Sequence, residues 1–293
     1  MTEQAHESVL CRELLASFSQ TPPALLVDGT VGLGGHTELF LKAFQELQVI
    51  AVDRDPAALE KSRERLQPFG TRVRYAHAAF SSLPQVLSSF GLKTTNAAIF
   101  DLGVSSMQLD TPERGFSFRY SGPLDCRMDP TQGISAWELI HELSEKDLAD
   151  GIYQFGEEHR SRAVARALKT YRAQIGLNDS KAVADYLEQR MSRGRIHPAT
   201  KTFQALRMMV NRETEEIEAL MTVLPNCLNE GGRAAVITFH SGEDRLVKNA
   251  FRALKDGGKF RLVYKKAVQP EYEETRRNPR ARSAKLRVIE RVS

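Results

Sequence analysis

Cysteine is scarce in this 293-residue chain, with three copies, and tryptophan occurs once. Cys11, Cys126 and Cys227 are widely spaced, odd in number and free of any C-x-x-C pair, which argues against a disulfide framework and against a cysteine-based zinc or redox centre. They read as reduced thiols, and no metal site is expected. No apolar run reaches the roughly 18 residues of a membrane span, so an ordinary transmembrane helix is excluded and no membrane partner is expected. The opening MTEQAHESVL carries acids and lacks a basic stretch followed by an apolar one, which argues against secretion and for a cytoplasmic protein. Internal repeats and low-complexity tracts are missing as well. What is present, 41% hydrophobic and 27% charged residues, is a soluble globular composition with core enough for one large domain or a domain carrying an insertion.

A large net charge is also lacking, at +4, but the excess is local. Of the 41 Lys/Arg and 37 Asp/Glu, seven and one fall from Arg276 onward, leaving 34 basic and 36 acidic residues elsewhere. This segment contains NPR and runs into KLRVIERV, whose alternation predicts a strand. A basic loop held on a strand suits a phosphate-rich partner.

The first hundred residues alternate short apolar runs with amphipathic ones. ALLVDGT predicts a strand stopped at glycine, and GGHTELFLKAF the helix after it; LQVIAVDRD and PAALEKSRERL repeat the pair, with Asp55 as N-cap and Pro56 at the first helical position. RVRYAHAAF and NAAIFDLG predict a third and fourth strand. This order implies a parallel, doubly wound sheet whose ligands lie beyond the carboxyl ends of its strands. From about Met107 to Glu216 no buried strand is legible. A loop rich in Gly, Pro and Asp comes first, then helices at RAVARALKTY and SKAVADYLEQRM, then one long helix from about Pro198 through TFQALRMMVNRETEEIEALMTVL. The sheet is expected to resume at GGRAAVITFHS, a Gly-Gly turn and a fifth strand, and to close with KFRLVYKK and AKLRVIERV as an antiparallel pair. The expected organisation is a sheet domain at 1–106 and 217–293 with a helical insertion at 107–216. Five parallel strands followed by an antiparallel pair resembles the Rossmann-like α/β fold of class I S-adenosylmethionine-dependent methyltransferases.

VDGTVGLGGH places an acid, Asp28, at a strand end just before a glycine-rich turn, and Asp53 ends the next strand, where it can bind ribose hydroxyls. Up to this point a nicotinamide dinucleotide and S-adenosylmethionine fit equally well. Asp28 favours the second, because a carboxylate repels a pyrophosphate and attracts an ammonium or sulfonium by about 4 kcal/mol at about 4 Å in a surface cleft. Glycines 32, 34 and 35 then allow main-chain N–H groups to approach the cofactor's carboxylate at a helix N-terminus.

HESVL, DGTVGLGGH, DRDPAAL, DLGVSSMQLDTPERGFSFRYSGPLDCRMD, HPATKTFQALRMMVNRE, FHSGEDRLVK and NPRARSAKLRVIER, in this order over nearly the whole chain, resemble the ribosomal RNA small subunit methyltransferase H (MraW-like) family. The resemblance implies transfer of a methyl group from S-adenosylmethionine to N4 of a cytidine in the decoding centre of 16S rRNA within the small ribosomal subunit. It implies cofactor contacts from Gly34, Gly35, His36, Asp53, Phe80, Asp101 and Gln108, beside the Asp28 argued above. Cys126 stands where the family usually has Met, and Gly242 where it usually has Leu.

The exocyclic amine of cytosine is a poor nucleophile, so the chemistry needs alignment and an acceptor where positive charge develops. The (D/N/S)PP(Y/F) acceptor motif of other amino-methyltransferases is absent. Asp101, at the end of the fourth strand, is expected to contact cofactor or to accept from N4, with His240 and Ser241 helping to hold the base. RGFSFRY interleaves Arg114, Phe116, Phe118, Arg119 and Tyr120 in a manner suited to gripping a splayed base, and Arg280, Arg282 and Lys285 suit phosphates. An oxidoreductase on the same sheet and a non-enzymatic RNA-binding protein are the competing readings. Oligomeric state, a homodimer included, is left open.

Overall fold

The structure, a computed structural model, describes residues 8–191 and 196–293. His6 and Glu7 of the HESVL motif lie outside the described residues. The chain divides into two compact units, one formed by Met1–Gly103 with Thr214–Ser293 and the other by Val104–Glu213.

The first unit is built on a seven-stranded sheet. Its elements are α1 (Cys11–Ser19), β1 (Leu25–Asp28), α2 (Gly35–Ala43), β2 (Gln48–Asp53), α3 (Pro56–Leu66), β3 (Val73–His77), α4 (Leu83–Ser89) and β4 (Thr95–Asp101). The strand order is β3-β2-β1-β4-β5-β7-β6, where β5 is Leu228–Thr238, β6 is Phe260–Leu262 and β7 is Lys285–Arg291. β1 to β5 pair with one another in parallel, and β7 runs antiparallel between β5 and β6. Only β7 therefore runs against the rest, since β6 is antiparallel to β7 alone. This is the expected doubly wound sheet, closed by an antiparallel pair. The central strands are buried on both faces, by Leu14, Phe18, Phe40 and Leu41 on one side and Leu83, Leu87, Leu220, Val247 and Phe251 on the other. That burial explains why ALLVD and QVIAVD read as continuous apolar runs. Asp55 caps α3 through Ala57 N–H at 3.0 Å, with Pro56 at the first helical position.

The second unit holds α5 (Ser106–Asp110), α6 (Ala136–Glu142), α7 (Glu145–Gly156), α8 (Ser161–Gln174), α9 (Ser180–Arg190) and α10 (Ala199–Asn211). Its core gathers Leu124, Ile140, Ile152, Leu168, Leu187 and Leu206. Cys126 sits in this core at φ +64°, its thiol donating to the Gly115 carbonyl at 3.0 Å.

Two expectations need correction. The long helix from Pro198 is two helices, α10 and α11 (Glu213–Cys227), broken at Arg212, which takes the left-handed conformation at φ 50° and turns its N–H back onto the carbonyls of Met208 and Met209. Apolar spacing persists across this break, so periodicity alone hides it. The buried Asn211 side chain just before it accepts from Met128 N–H and donates to the Cys126 and Arg207 carbonyls. The Gly-Gly pair is likewise no turn before β5. It lies inside the strand, at Gly231 (φ +73°) and Gly232, where the pairing with β4 shifts register.

The chain after β5 continues through α12 (Ser241–Asp256), β6 and α13 (Tyr272–Arg277) to β7. Between α13 and β7 the NPRARSA loop is anchored by the buried Ala281 and Ala284, leaving Arg280 and Arg282 exposed.

Candidate active site

Asp28, Asp53 and Asp101 end β1, β2 and β4, so the parallel register places three carboxylates at one end of the sheet. Burial rather than a charge partner dominates each of them.

Asp28 is turned inward and 2% exposed. Its Oδ2 accepts from Thr37 Oγ1 at 2.6 Å and its Oδ1 from Thr30 N–H at 3.2 Å, so the carboxylate braces the glycine loop against the first turn of α2. Burial pushes its pKa up to about 6, against the Thr37 hydrogen bond and the nearby His36. The expected direct welcome of a cation is thus replaced by a negative charge lying beneath the loop. Asp53 is tied to the same loop, accepting from Gly32 N–H at 2.8 Å and Asp55 N–H at 2.9 Å. Burial pushes it, too, up to about 6.

Gly32 and Gly34 therefore spend their amides inside the loop, Gly34 on the Val31 carbonyl at 2.7 Å. What the loop leaves for an anion is the uncapped start of α2: Gly34, at φ +81°, is its N-cap and has no side chain to satisfy the first-turn amides. Gly35 is glycine because Ser8 lies on it; a Cβ there would stand 2.0 Å from Ser8 Oγ.

That contact introduces a strap. Residues 8–10 cross the start of α2, where the Val9 carbonyl meets His36 Nε2 at 2.8 Å, and Leu10, held at φ +54°, gives its N–H to Glu274 of α13 at 2.7 Å. Arg12 pairs with Glu271 beside it. Since a carbonyl only accepts, the proton of neutral His36 is on Nε2. Bare Nδ1 then faces Asp101 Oδ2 at 3.7 Å. Burial holds the imidazole below its usual pKa, so it is neutral at pH 7.

Asp101 combines access with an unmet need. Its N–H donates to Thr30 Oγ1 at 2.6 Å, and its side chain is 29% exposed by area, yet Oδ1 is sealed from solvent with no hydrogen-bond partner. Burial first, and Glu243 second, push its carboxyl up to about 7. Glu243 is 1% exposed and accepts from the N–H groups of Phe239 and His240, while His240 Nδ1 accepts from Glu243 N–H at 3.4 Å, so His240 is the N-cap of α12 in a reciprocal capping box. His240 Nε2 lies 3.1 Å from Glu243 Oε1 but off line, without a hydrogen bond. A Cβ at Gly242 would stand 3.1 Å from the His240 ring, so a larger residue there requires the imidazole to give. Ser241, the first residue of α12, is exposed. Phe80 follows β3, partly buried, with its ring 6.2 Å from that of Phe100 in an edge arrangement.

The MraW methylase family matches residues 3–292. The ribosomal RNA small subunit methyltransferase H of Sorangium cellulosum is 45% identical over 99% of this chain and 91% of its own length. Proteins of the same name from Synechococcus elongatus and Trichlorobacter lovleyi are 43% and 42% identical, over 98% and 100% of this chain and 95% and 100% of theirs. The chain belongs to the MraW methylase family.

For this methylase the first unit gathers Asp28, Gly34, Gly35, His36, Asp53, Phe80, Asp101, His240 and Ser241. Gln108 lies in the second unit, where its side chain closes a capping box with Ser105 at the start of α5. The residues expected to grip RNA are divided in their use. Arg114 donates to the Arg127 and Met128 carbonyls, Phe116 is buried, and Phe118 stacks on His197 with ring centroids 4.7 Å apart. The interleaving of RGFSFRY thus serves the unit's own packing, and Arg119 and Tyr120 are its exposed members. Lys285 is held by Asp244 at 3.1 Å. Sequence reasoning missed Glu243, Thr30, Thr37, Glu274 and the strap. HSGE carried a signal for the first, as a capping box with histidine in the place of serine; the others depend on tertiary contacts with no local mark.

Proposed function

We propose that this methylase transfers a methyl group from S-adenosylmethionine to N4 of a cytidine in the decoding centre of 16S ribosomal RNA. The uncapped start of α2 suits the cofactor's carboxylate, Asp53 its ribose, Phe80 its adenine face, and the buried Asp28 its positive end. When bound, S-adenosylmethionine supplies an electrophilic methyl group on a sulfonium. The chain's own part is to align the amine and to take the proton it sheds. The observation that carries this reading is the Asp101 carboxyl at the carboxyl end of β4, 29% exposed and left short of a hydrogen-bond partner at Oδ1, an acceptor suited to an N–H donor. Neutral His36 lies behind Asp101, its bare Nδ1 3.7 Å from Oδ2, and adds no positive charge there, and His240, fixed by its capping box, lines the approach after β5. Arg119 and Tyr120 of the helical insertion and Arg280 and Arg282 of the terminal loop are offered to the RNA.

The test is to incubate the protein with labelled S-adenosylmethionine and small ribosomal subunits from a strain lacking the modification, then to digest the RNA and identify the labelled nucleoside by mass spectrometry. N4-methylcytidine at a single decoding-centre position supports the reading. Label on C5 or on a ribose overturns it.

A further inference from the structure

α12 presents its exposed cations in one line. Arg245, Lys248, Arg252 and Lys255 recur at spacings of three, four and three residues. With 3.6 residues per turn they fall within an arc of about 80° and span about 15 Å of helix axis. The buried side of the helix carries Val247 and Phe251, packed against the sheet.

Exposed cations on other helices have acidic partners, along their own helix as for Lys42 with Glu38, Lys61 with Glu64, Lys146 with Asp150 and Lys181 with Asp185, or on a neighbouring element as for Arg162 with Asp150 and Arg166 with Glu145. α12 differs from these helices. Among the described residues Arg245, Lys248 and Arg252 have no ion-pair or hydrogen-bond partner, and Lys255 has only Asp256, at 4.0 Å. Asp244, one turn before Lys248 and in position to pair with it, is turned instead to Lys285 and Arg287 of β7, at 3.1 and 2.7 Å. Glu243 is buried behind His240. The outer face is left with like charges one turn apart, which repel.

We propose that this face of α12 is a track for the phosphate backbone of the substrate RNA, holding the strand that flanks the nucleotide at the site. The inference rests on the functional reading above. Phosphates relieve a repulsion that the protein's own acids leave standing. The helix starts at Ser241, just beyond the carboxyl end of β5, at the end of the sheet where Asp28, Asp53 and Asp101 lie, so the line of cations leads away from the site. Its apolar face is already spent on the sheet and is closed to a lipid boundary, which favours RNA over a membrane surface.

The test measures binding of the full chain to an unmodified transcript of small-subunit ribosomal RNA across a salt series. In the triple variant Arg245→Ala, Lys248→Ala, Arg252→Ala, affinity at about 0.1 M salt falls tenfold or more, and the slope of log affinity against log salt flattens by about two, because each lost phosphate contact removes roughly 0.7 to 0.9. S-adenosylhomocysteine binding stays at the wild-type level, which establishes that the variant is folded. The charge-conserving triple Arg245→Lys, Lys248→Arg, Arg252→Lys keeps both affinity and slope. An unchanged slope in the alanine triple overturns the track, as does an equal loss in the charge-conserving triple. Loss of wild-type binding to phosphatidylserine vesicles in the alanine triple, with the RNA slope unaltered, overturns it in favour of a membrane. Failure of the wild type to methylate small-subunit RNA overturns the functional reading, whereas an unchanged slope with methylation intact overturns the track alone.

Discussion

Asp28, Asp53 and Asp101 are each pushed above the ordinary carboxylate range chiefly by burial, the first two to about 6 and the third to about 7. A cationic ligand favours their charged forms, so cofactor binding should release protons between about pH 5 and 8. Calorimetry in two buffers of different ionisation enthalpy reads this directly, and equal heats in both would contradict it. Thr37→Val keeps side-chain shape but removes the donor at 2.6 Å from Asp28. Its cost should be about 1–3 kcal/mol, the penalty for leaving a buried acceptor short of a partner, measured by urea unfolding. The position of these acids was legible from apolar runs that stop at Asp28, Asp53 and Asp101. Their orientation was not, because whether a strand-end carboxylate faces a ligand or braces a loop depends on hydroxyls such as Thr30 and Thr37 that have no distinctive spacing. Phe116 makes the same point, since an aromatic among arginines in sequence is as compatible with a core as with a base stack.

At the scale of elements, the strap of residues 8–10 connects parts of the chain far apart in sequence. Glu274 holds Leu10 in a left-handed conformation that costs a non-glycine residue about 1 kcal/mol or more, and Val9 fixes the proton on His36. Glu274→Ala should raise the KM for S-adenosylmethionine several-fold and lower Tm by a few degrees. Glu274→Gln, whose amide oxygen still accepts from Leu10 N–H, should restore both, and identical behaviour of the two variants would show that this bond does not position the strap. Most elements were readable from periodicity and caps, as with the Asp55-Pro56 start of α3. The break at Arg212 and the shift inside β5 were not, since the first is set by the buried Asn211 and the second by pairing with β4. Asn211→Ala, which strips three hydrogen bonds from a buried site, should destabilise by about 2–4 kcal/mol.

For the molecule as a whole, the raised carboxylates set a direction for stability against pH. A carboxyl whose pKa is higher folded than unfolded stabilises fully below the unfolded value and loses that contribution as pH rises through the folded one. Asp28, Asp53 and Asp101 should therefore lower the Tm of the cofactor-free protein between about pH 4 and 7, opposed by His36, whose lowered pKa acts in the other sense. S-adenosylmethionine should flatten this fall. Arg280→Ala with Arg282→Ala should weaken RNA binding and its salt dependence while leaving cofactor affinity unchanged, because these exposed side chains stand on a loop anchored by buried alanines. The central claim is that Asp101 takes the proton shed by the amine, with His36 behind it and the buried charge of Glu243 helping to raise its pKa. Its most direct test is single-turnover methyl transfer against pH for wild type and Asp101→Asn, with both saturated in cofactor. The wild-type rate should rise to a plateau with a midpoint at or below about 7, and Asp101→Asn should lose most of the rate and all of that rise while still binding S-adenosylhomocysteine. An Asp101→Asn variant that transfers methyl at the wild-type rate across the whole range would contradict the account.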